Sequence, residues 1–309
     1  MVEGIPRVVT LDMNQHLTRD FVPLEVIEAV KQMSPTKALG PDSLPPVFYQ
    51  KYWHLISEDI SNAVLTCLNT GKTLKAINHT YITLIPKVKN PETVQEFRPI
   101  SLCNVIYKII SKVLTNRLKR VFPLIVLESQ SAFVPGRLIT DNILVAFETL
   151  HHMHQQRKGK YGSVALKLDI SKAYDRVEWK FLEKVMQQMG FHHKWVTIMM
   201  ECISTVSYSI LINGEPHGYI KPSRGLRQGH PLSPYLFLLC AEGLHSLLQR
   251  AKNTEDIHGV SISRSGPKLT HLFFADDSLL FCKATTNEIR CIQDILTEYE
   301  LASGQQVNR

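Results

Sequence analysis

The sequence has few of the features that mark several large classes of protein. No uninterrupted apolar run approaches the roughly 18 residues that cross a bilayer, which excludes a membrane-spanning helix. The opening residues, MVEGIPRVVTLDMNQ, contain no apolar stretch of the secretory type, so we expect an intracellular protein. Internal repeats and low-complexity tracts are also missing. Because 44% of the residues are hydrophobic, the chain has ample material for a core, which excludes intrinsic disorder.

Cysteine, histidine and charge carry little functional information. The 6 cysteines are scattered with no CxxC pair, so we expect reduced thiols rather than disulfides or a zinc site. Of the 13 histidines, His151, His152 and His154 form a cluster without nearby partner ligands, which favours a solvated helix end over a metal site. The formal net charge of +7 is a mild indication of polyanionic partners.

The hydrophobic periodicity predicts a largely helical start followed by a mixture of strands and helices. Helical spacing is found at residues 24–33, 46–68, 106–118, 141–150, 177–189, 231–250 and 287–302. Strand patterns cover 80–85, 163–169 and 208–212, the last before an Asn213-Gly214 hairpin turn. Two further short strands, 269–274 and 279–282, flank an acidic turn. Since strands and helices do not alternate strictly, we expect an α+β fold, built on an antiparallel sheet with helices on one face.

The most informative feature is an acidic pair where burial is expected. Asp276 and Asp277 stand inside the otherwise apolar segment 273–281. Two like charges about 4 Å apart repel by about 1 kcal/mol in water and by about 4 kcal/mol at an effective dielectric constant near 20. Such a pair therefore either faces solvent, as many Asp-Asp turns do, or is neutralised by a cation.

A third acidic residue favours neutralisation of the pair by a cation over simple exposure to solvent. Asp169 ends the alternating segment 163–169 and also follows an apolar run. If that strand lies beside the hairpin of Asp276 and Asp277, three carboxylates converge on one edge, an arrangement that suits two hard divalent ions such as magnesium. Two such ions can activate a hydroxyl and stabilise an in-line phosphoryl displacement. Two-metal phosphoryl transfer and a solvent-facing turn both remain open from the pattern alone.

Six sequence blocks, in order, resemble the reverse transcriptases of plant LINE-type retrotransposons, which lack long terminal repeats. The two acidic blocks, LDISKAYDRV at 168–177 and FADD at 274–277, resemble the metal-binding motifs of that family. The others are IPK at 85–87, FRPISL at 97–102, QSAFVPGR at 130–137 and RGLRQGHPLSP at 224–234. The matching blocks run along nearly the whole chain.

The resemblance implies a right-hand polymerase fold with fingers and palm subdomains. It divides the chain into a helical N-terminal extension, residues 1–79, and a reverse transcriptase domain, residues 80–309. Within that domain the fingers would cover about 80–160 and the palm about 161–309. The chain ends inside a block that normally continues with Lys-Ser, so we expect the last palm elements and the thumb to be missing.

The resemblance also implies an RNA-directed DNA polymerase that uses two Mg²⁺ ions, with Mn²⁺ as an alternative. Asp169, Asp276 and Asp277 would be the catalytic carboxylates and metal ligands, and the Ile170 carbonyl would be a backbone ligand. The expected reaction is attack of a DNA primer 3′-hydroxyl on the α-phosphate of a dNTP, templated by RNA. No membrane partner is expected, and the oligomeric state stays open.

Further residues match positions that contact the incoming nucleotide in this family. Lys87 and Arg98 would bind the triphosphate by charge-assisted hydrogen bonds, an exposed salt bridge being the alternative. Tyr174 would block a ribose 2′-hydroxyl, an ordinary core aromatic being the alternative. Gln228 and Gly229 would form the turn beside the nucleotide and template, where the backbone must approach closely. For Arg137 we weigh a template-phosphate contact equally against a surface role.

Some residues depart from the family pattern. His230 stands where close relatives usually have Asp, and Leu39 and Ser43 replace the usual Pro and Gly. Two alternatives to an active polymerase therefore stay open: an inactive retrotransposon relic that at most binds nucleic acid, and an unrelated two-metal phosphotransferase such as a nuclease. The resemblance implies action at nuclear DNA, although the chain has no compact basic cluster of the nuclear-localisation type.

Overall fold

The computed structural model describes residues 2–156, 162–263 and 266–308. The helices are α1 (Leu11–Thr18), α2 (Pro23–Lys31), α3 (Pro46–Lys51), α4 (Trp53–Thr70), α5 (Val105–Ile125), α6 (Ile139–Gln155), α7 (Trp179–Met189), α8 (His193–Ser204), α9 (Ser233–Asn253) and α10 (Thr286–Ser303). The strands are β1 (His79–Pro86), β2 (Phe97–Cys103), β3 (Ser163–Ser171), β4 (Ser207–Ile212), β5 (Glu215–Ile220), β6 (His271–Phe274), β7 (Asp277–Lys283) and β8 (Gln306–Val307).

The chain divides into two compact units that alternate along the sequence. The first unit comprises Met1–Thr10, Val121–Gly190 and Pro234–Arg309, and the second comprises Leu11–Arg120 and Phe191–Ser233. The predicted division into an N-terminal extension, fingers and palm follows other boundaries. The two units therefore neither support nor contradict it. The predicted boundary between fingers and palm, at 160/161, lies outside the described residues.

The first unit is built on an antiparallel sheet in the strand order β6-β7-β3-β8. Leu168 and Ile170 of β3, together with Leu280 of β7, are buried. Helix α10 contacts β7, β8 and α7. This antiparallel sheet packed with helices confirms the predicted α+β fold class.

The second unit contains a sheet in the order β2-β1-β4-β5, in which β1 and β4 run parallel. Arg117 of α5 is fully buried and joins this unit's N-terminal helices to α5. Its guanidinium donates to both carboxylate oxygens of Glu25 at 2.8 and 2.7 Å and lies 3.5 Å from the ring centre of Phe21. Because a buried charge must be paired, this contact fixes the position of α2 against α5.

The elements differ in places from those that the sequence predicts. The single helix expected over 46–68 is two helices, α3 and α4, separated at Tyr52, whose backbone is not helical. The helix expected to start at residue 141 starts two residues earlier, at Ile139, and the Asp141 carboxylate accepts a hydrogen bond from the Leu138 amide. Gly190 directly follows the predicted helical segment 177–189 and ends α7 in the left-handed conformation, which favours glycine. Among the described residues, no helix is long and apolar enough to cross a membrane.

A buried arginine in the second unit has only neutral partners. Arg227 donates to Asn78 Oδ1 at 2.6 Å and to the Cys202 carbonyl at 2.8 Å, and its guanidinium lies 3.9 Å from the ring centre of Tyr107. Within the described part of the chain it forms no ion pair with a carboxylate. His230 also packs on Tyr107, with ring centres 4.9 Å apart. Burial, followed by the charge of Arg227, holds the pKa of His230 well below its usual range, so the imidazole is neutral.

A pair of histidines, buried His271 and half-buried His245, lies in the first unit at the start of the hairpin that carries the acidic turn. His245 Nδ1 and His271 Nε2 are 2.7 Å apart, and His271 begins β6. Burial is the main cause that lowers the pKa of His245 to about 4 and that of His271 to about 3; Lys252 adds to both shifts. Both imidazoles are therefore neutral near pH 7.

We predict that the variant His230→Asp is more stable than His230→Asn by about 1–3 kcal/mol. The two side chains have the same shape, but only the aspartate carries a charge that compensates Arg227. Urea unfolding of both variants at pH 7 measures the difference. Equal stabilities, or a more stable Asn variant, would show that Arg227 needs no counter-ion.

We also predict that acid destabilises the first unit through His245 and His271. Because folding lowers both pKa values from 6.5, the unfolded chain takes up protons first. The two neutral histidines therefore contribute fully to the free energy of unfolding above pH 6.5, and this contribution is lost as the pH falls toward 4. The double variant His245→Asn/His271→Gln retains a donor and an acceptor but cannot be protonated there. The double variant should therefore lose roughly 2–4 kcal/mol less unfolding free energy than wild type on acidification.

Denaturant unfolding of wild type and of the double variant between pH 4.5 and 7 tests this prediction. The matched control is His54→Gln, which replaces an exposed histidine of α4. Its pH profile should equal that of wild type. An unchanged profile in the double variant would contradict the prediction.

Candidate active site

The acidic pair lies on a tight hairpin in the first unit. Strands β6 and β7 are joined by the two residues Ala275 and Asp276, and Phe274 pairs with Asp277 across the turn. Ala275 has φ +52°, in the left-handed region that favours glycine, so the turn is held in a costly backbone conformation. The hairpin places Asp276 at its tip and Asp277 at the first position of β7.

The third acid lies directly across from this hairpin. Asp169, near the end of β3, pairs in register with Asp277 of β7. Directly opposed residues of antiparallel strands point to the same face, with Cβ atoms about 4.5–5.5 Å apart. Asp169, Asp276 and Asp277 are all exposed. The strand that carries Asp169 therefore lies beside the acidic hairpin, which is the condition for the three carboxylates to share one edge of the sheet.

Two neighbouring side chains contact the opposed carboxylates. Asn308 donates from Nδ2 to Asp169 Oδ2 at 2.7 Å. Lys167 Nζ lies 3.6 Å from Asp277 Oδ1, and both side chains are largely exposed, so this ion pair contributes at most about 1 kcal/mol. Across the described ranges, no three His, Cys, Asp or Glu side chains are gathered closely enough to hold a metal ion. The three acids thus share one edge of the sheet without forming a closed ligand cage.

The pairing of β3 with β8 determines where the backbone carbonyl of Ile170 points. The Asn308 amide donates to the Asp169 carbonyl at 2.8 Å, while Ile170 pairs with Val307. In this antiparallel pattern the pair of Ile170 and Val307 is not itself hydrogen-bonded, so the Ile170 carbonyl points away from β8 and toward the β7 side. The Ile170 side chain is buried and anchors this end of β3 in the core.

Tyr174 lies close to the acids in the same unit. Its ring is stacked on Phe237 of α9, with ring centres 4.9 Å apart and planes at 18°. Burial, followed by the negative charge of Asp276, raises the pKa of Tyr174 to about 12. The phenol is therefore neutral, partly buried and within electrostatic range of the turn. The structure thus brings Tyr174, Asp169, Asp276, Asp277 and Ile170 together in one unit.

The remaining predicted residues belong to the second unit. Arg98 on β2 pairs with Ile85 of β1 and is exposed, and Lys87 directly follows β1. Lys87 Nζ donates to the Gln95 carbonyl at 2.8 Å. Among the described residues, neither cation forms an ion pair. The two cations therefore lie at the loop end of the β1–β2 hairpin, where the segment after Pro86 leads into Phe97.

Gln228 and Gly229 form a turn between two buried side chains, Arg227 and His230. Gly229 has φ +81°, and a Cβ added to this residue would meet no heavy atom within 4 Å. A side chain at this position would be strained by the backbone conformation rather than by crowding. Buried side chains therefore flank the turn on both sides, while Gly229 at its tip is exposed.

Arg137 has a structural role that the sequence does not reveal. Its guanidinium donates to the carbonyls of Gln130 at 2.7 Å, Val126 at 2.9 Å and Pro123 at 3.1 Å, and also to that of Leu127. These carbonyls lie at and beyond the C-terminal end of α5, where helical partners are lacking. Its donors are therefore engaged within the protein.

Two contacts of the site were missed at the sequence level. Lys167 could have been identified, because it lies two residues before Asp169 on a strand and must share its face. Asn308 could not, since its contact depends on the pairing of the two-residue strand β8 with β3, which leaves no periodic signal in the sequence.

Comparison with known proteins connects this arrangement to a family. A model of the family described as "Reverse transcriptase (RNA-dependent DNA polymerase)" matches residues 85–308. The chain is 27% identical over 306 residues, 99% of its length, to the Transposon TX1 uncharacterized 149 kDa protein of Xenopus laevis. It is 25% identical over 280 residues, 90% of its length, to the retrovirus-related Pol polyprotein from type-2 retrotransposable element R2DM of Drosophila melanogaster.

These two alignments cover 23% and 25% of the relatives, so the chain spans about a quarter of their lengths. A shorter alignment, over 68 residues, is 53% identical to an uncharacterized mitochondrial protein of Arabidopsis thaliana and covers 22% of this chain and 56% of that protein. The mixed helix and sheet content of the two units is consistent with a fingers and palm fold. Because the family model covers most of the chain, including all three acids of the hairpin site, the chain belongs to the reverse transcriptase (RNA-dependent DNA polymerase) family.

Proposed function

We propose that this chain is the RNA-directed DNA polymerase domain of a LINE-type retrotransposon and extends a DNA primer on an RNA template. The observation that carries the proposal is the pairing of Asp169 with Asp277, with Asp276 at the adjoining turn, inside the region that the family model covers. The similarity to the TX1 and R2DM proteins supports the type of element. The substrates would be an RNA template, a DNA primer and dNTPs.

The donor set fits two Mg²⁺ ions, which are the proposed cofactor, with Mn²⁺ as an alternative. Magnesium takes oxygen ligands, and the site offers exposed carboxylate oxygens from two neighbouring strands and their turn. Asp169, Asp276, Asp277 and the Ile170 carbonyl would hold the ions. When bound, the ions would lower the pKa of the primer hydroxyl and stabilise charge on the transferring phosphate. Lys167 and Asn308 would have to give up their present contacts, each of which is exposed and weak.

The other residues would bind and select the nucleotide. Arg98 would form two parallel hydrogen bonds to phosphate oxygens, and Lys87 would act as a single positive charge. The turn of Gln228 and Gly229 would let the backbone approach the base pair closely. Tyr174, held by stacking on Phe237, would present a rigid ring against the sugar.

The second candidate is an inactive relic that only binds nucleic acid. The open arrangement of the acids, with no group of three close enough to hold a metal among the described residues, favours this reading, as does the net charge of +7. It predicts salt-dependent RNA binding that does not change when the three acids are neutralised.

Two narrower assignments are also part of the proposal. The 53% identity with the Arabidopsis thaliana protein supports a plant element, although it covers only 22% of the chain. An intracellular location with action at nuclear DNA would follow from this type of element.

The direct test is primer extension on an RNA template with dNTPs and Mg²⁺. We expect wild type to extend the primer and Asp276→Asn to lose about 10³-fold in rate, equivalent to about 4 kcal/mol of transition-state stabilisation. The matched control, Asp59→Asn, neutralises an exposed aspartate of α4 and should behave as wild type. Failure of wild type to extend the primer, or full activity of Asp276→Asn, would contradict the proposal.

Selection against ribonucleotides gives a separate prediction. Tyr174→Val should reduce the preference for dCTP over CTP, measured as the ratio of kcat/KM values, by roughly 10- to 100-fold, because the ring no longer excludes the 2′-hydroxyl. Tyr174→Phe keeps the ring and should keep the preference. An equal preference in wild type and Tyr174→Val would leave Tyr174 as a core aromatic residue only.

A further inference from the structure

A short segment before α6 lies along the outer edge of the acidic hairpin. Gln130 forms a parallel β-bridge with Phe273 of the edge strand β6. The Phe273 amide donates to the Ser129 carbonyl at 3.0 Å, and the Ser131 amide donates to the Phe273 carbonyl at 3.4 Å. All of these residues belong to the first unit. The segment therefore continues the sheet beyond β6 for a few residues.

The Gln130 side chain reaches from this segment into the turn that carries Asp276. Gln130 is 1% exposed, and its Oε1 accepts from the Ala132 amide at 2.9 Å and from the Ala275 amide at 3.2 Å. Ala275 is the turn residue with φ +52°. A single buried oxygen thus joins the backbone of the segment to the strained turn.

A second side chain holds the same edge. Asn142 of α6 donates from Nδ2 to the Ser129 carbonyl at 3.0 Å and to the Phe273 carbonyl at 2.9 Å. The segment and β6 are therefore joined twice, by backbone pairing and by the Asn142 amide. This leaves Gln130 Oε1 as the contact that reaches the turn itself.

We propose that Gln130 is a positioning residue for Asp276. The inference rests on the proposed function and adds a residue to which the motif assigns no role. A two-residue turn with a non-glycine residue at positive φ would relax if its amide lost its partner, because the left-handed conformation costs free energy. The buried Oε1 accepts from that amide and so fixes the direction in which the next residue, Asp276, presents its carboxylate. Gln130 would act through the turn and not by a contact of its own to substrate or metal.

The test compares two substitutions at this position. Gln130→Met keeps the length and removes the acceptor, whereas Gln130→Glu keeps an oxygen at the same place. The matched control is Gln50→Met, which removes hydrogen bonds to the Val30 and Met33 carbonyls in the second unit. Thermal melting of each variant establishes that it is folded before any comparison.

The first measurement is amide hydrogen exchange at Ala275, followed by NMR on the protein alone. We expect Gln130→Met to lose at least about 10-fold in protection at this amide, while Gln130→Glu and Gln50→Met retain it. The second measurement is Mn²⁺ binding, followed by electron paramagnetic resonance without substrate. Gln130→Met should weaken it by roughly 10- to 100-fold, in the range found for residues that orient metal ligands.

Each outcome decides the proposal. Unchanged Ala275 exchange in Gln130→Met would overturn it, and so would unchanged Mn²⁺ affinity. Equal losses in Gln130→Glu, which keeps the acceptor, would also overturn it. If Gln130→Met does not fold, wild-type exchange and affinity in Gln130→Glu support the proposal and losses overturn it. Neither measurement needs polymerase activity, so failure of wild type to extend a primer contradicts the proposed function without affecting this test.

Discussion

The opposition of Asp169 and Asp277 on neighbouring strands is the constraint on which the rest of the site depends. Two like charges at such a position repel, by about 1 kcal/mol in a solvent-exposed setting and by more when water is excluded. Lys167 and Asn308 relieve this only in part, because the ion pair is exposed and the amide is neutral. A sheet built for stability alone would not place two acids face to face at its end and a third on the adjoining turn. A cation at this edge would resolve the conflict, and proteins of the reverse transcriptase family generally use divalent metal ions.

The protein holds these exposed acids on a well-packed base. Ile170 and Leu168 anchor β3 in the core beside Asp169, and Phe237 holds the ring of Tyr174. The acidic edge is therefore open to solvent while the residues next to it are packed in the core. The same principle appears in the second unit, where buried Arg227 and His230 flank the open turn of Gln228 and Gly229.

Much of this site could be predicted from local sequence patterns. The alternation over 163–169 and the two apolar runs around Asp276 and Asp277 are strand signals with a period of two, and such periodicity survives into the folded sheet. The Gly190 helix end and the Asn213-Gly214 turn are likewise set by local backbone preferences. In these cases the chemistry that decides the structure lies within a few residues.

The rest depends on partners that are distant in the sequence. The parallel pairing of β1 with β4 joins residues 128 positions apart, and Gln130 contacts a turn 145 residues away. Neither contact produces a periodic pattern in the sequence from which it could be predicted. The separation of α3 from α4 at Tyr52 was missed because the apolar spacing continues across the break.

The most direct test of the central claim is anomalous diffraction from crystals of the protein with an RNA–DNA template–primer, a non-hydrolysable dNTP analogue and Mn²⁺. If the three acids form the catalytic metal site, two anomalous peaks will lie within coordination distance of Asp169 and Asp276, with the α-phosphate of the analogue beside them. Peaks elsewhere, or a bound nucleotide with no peak at these carboxylates, would contradict the claim.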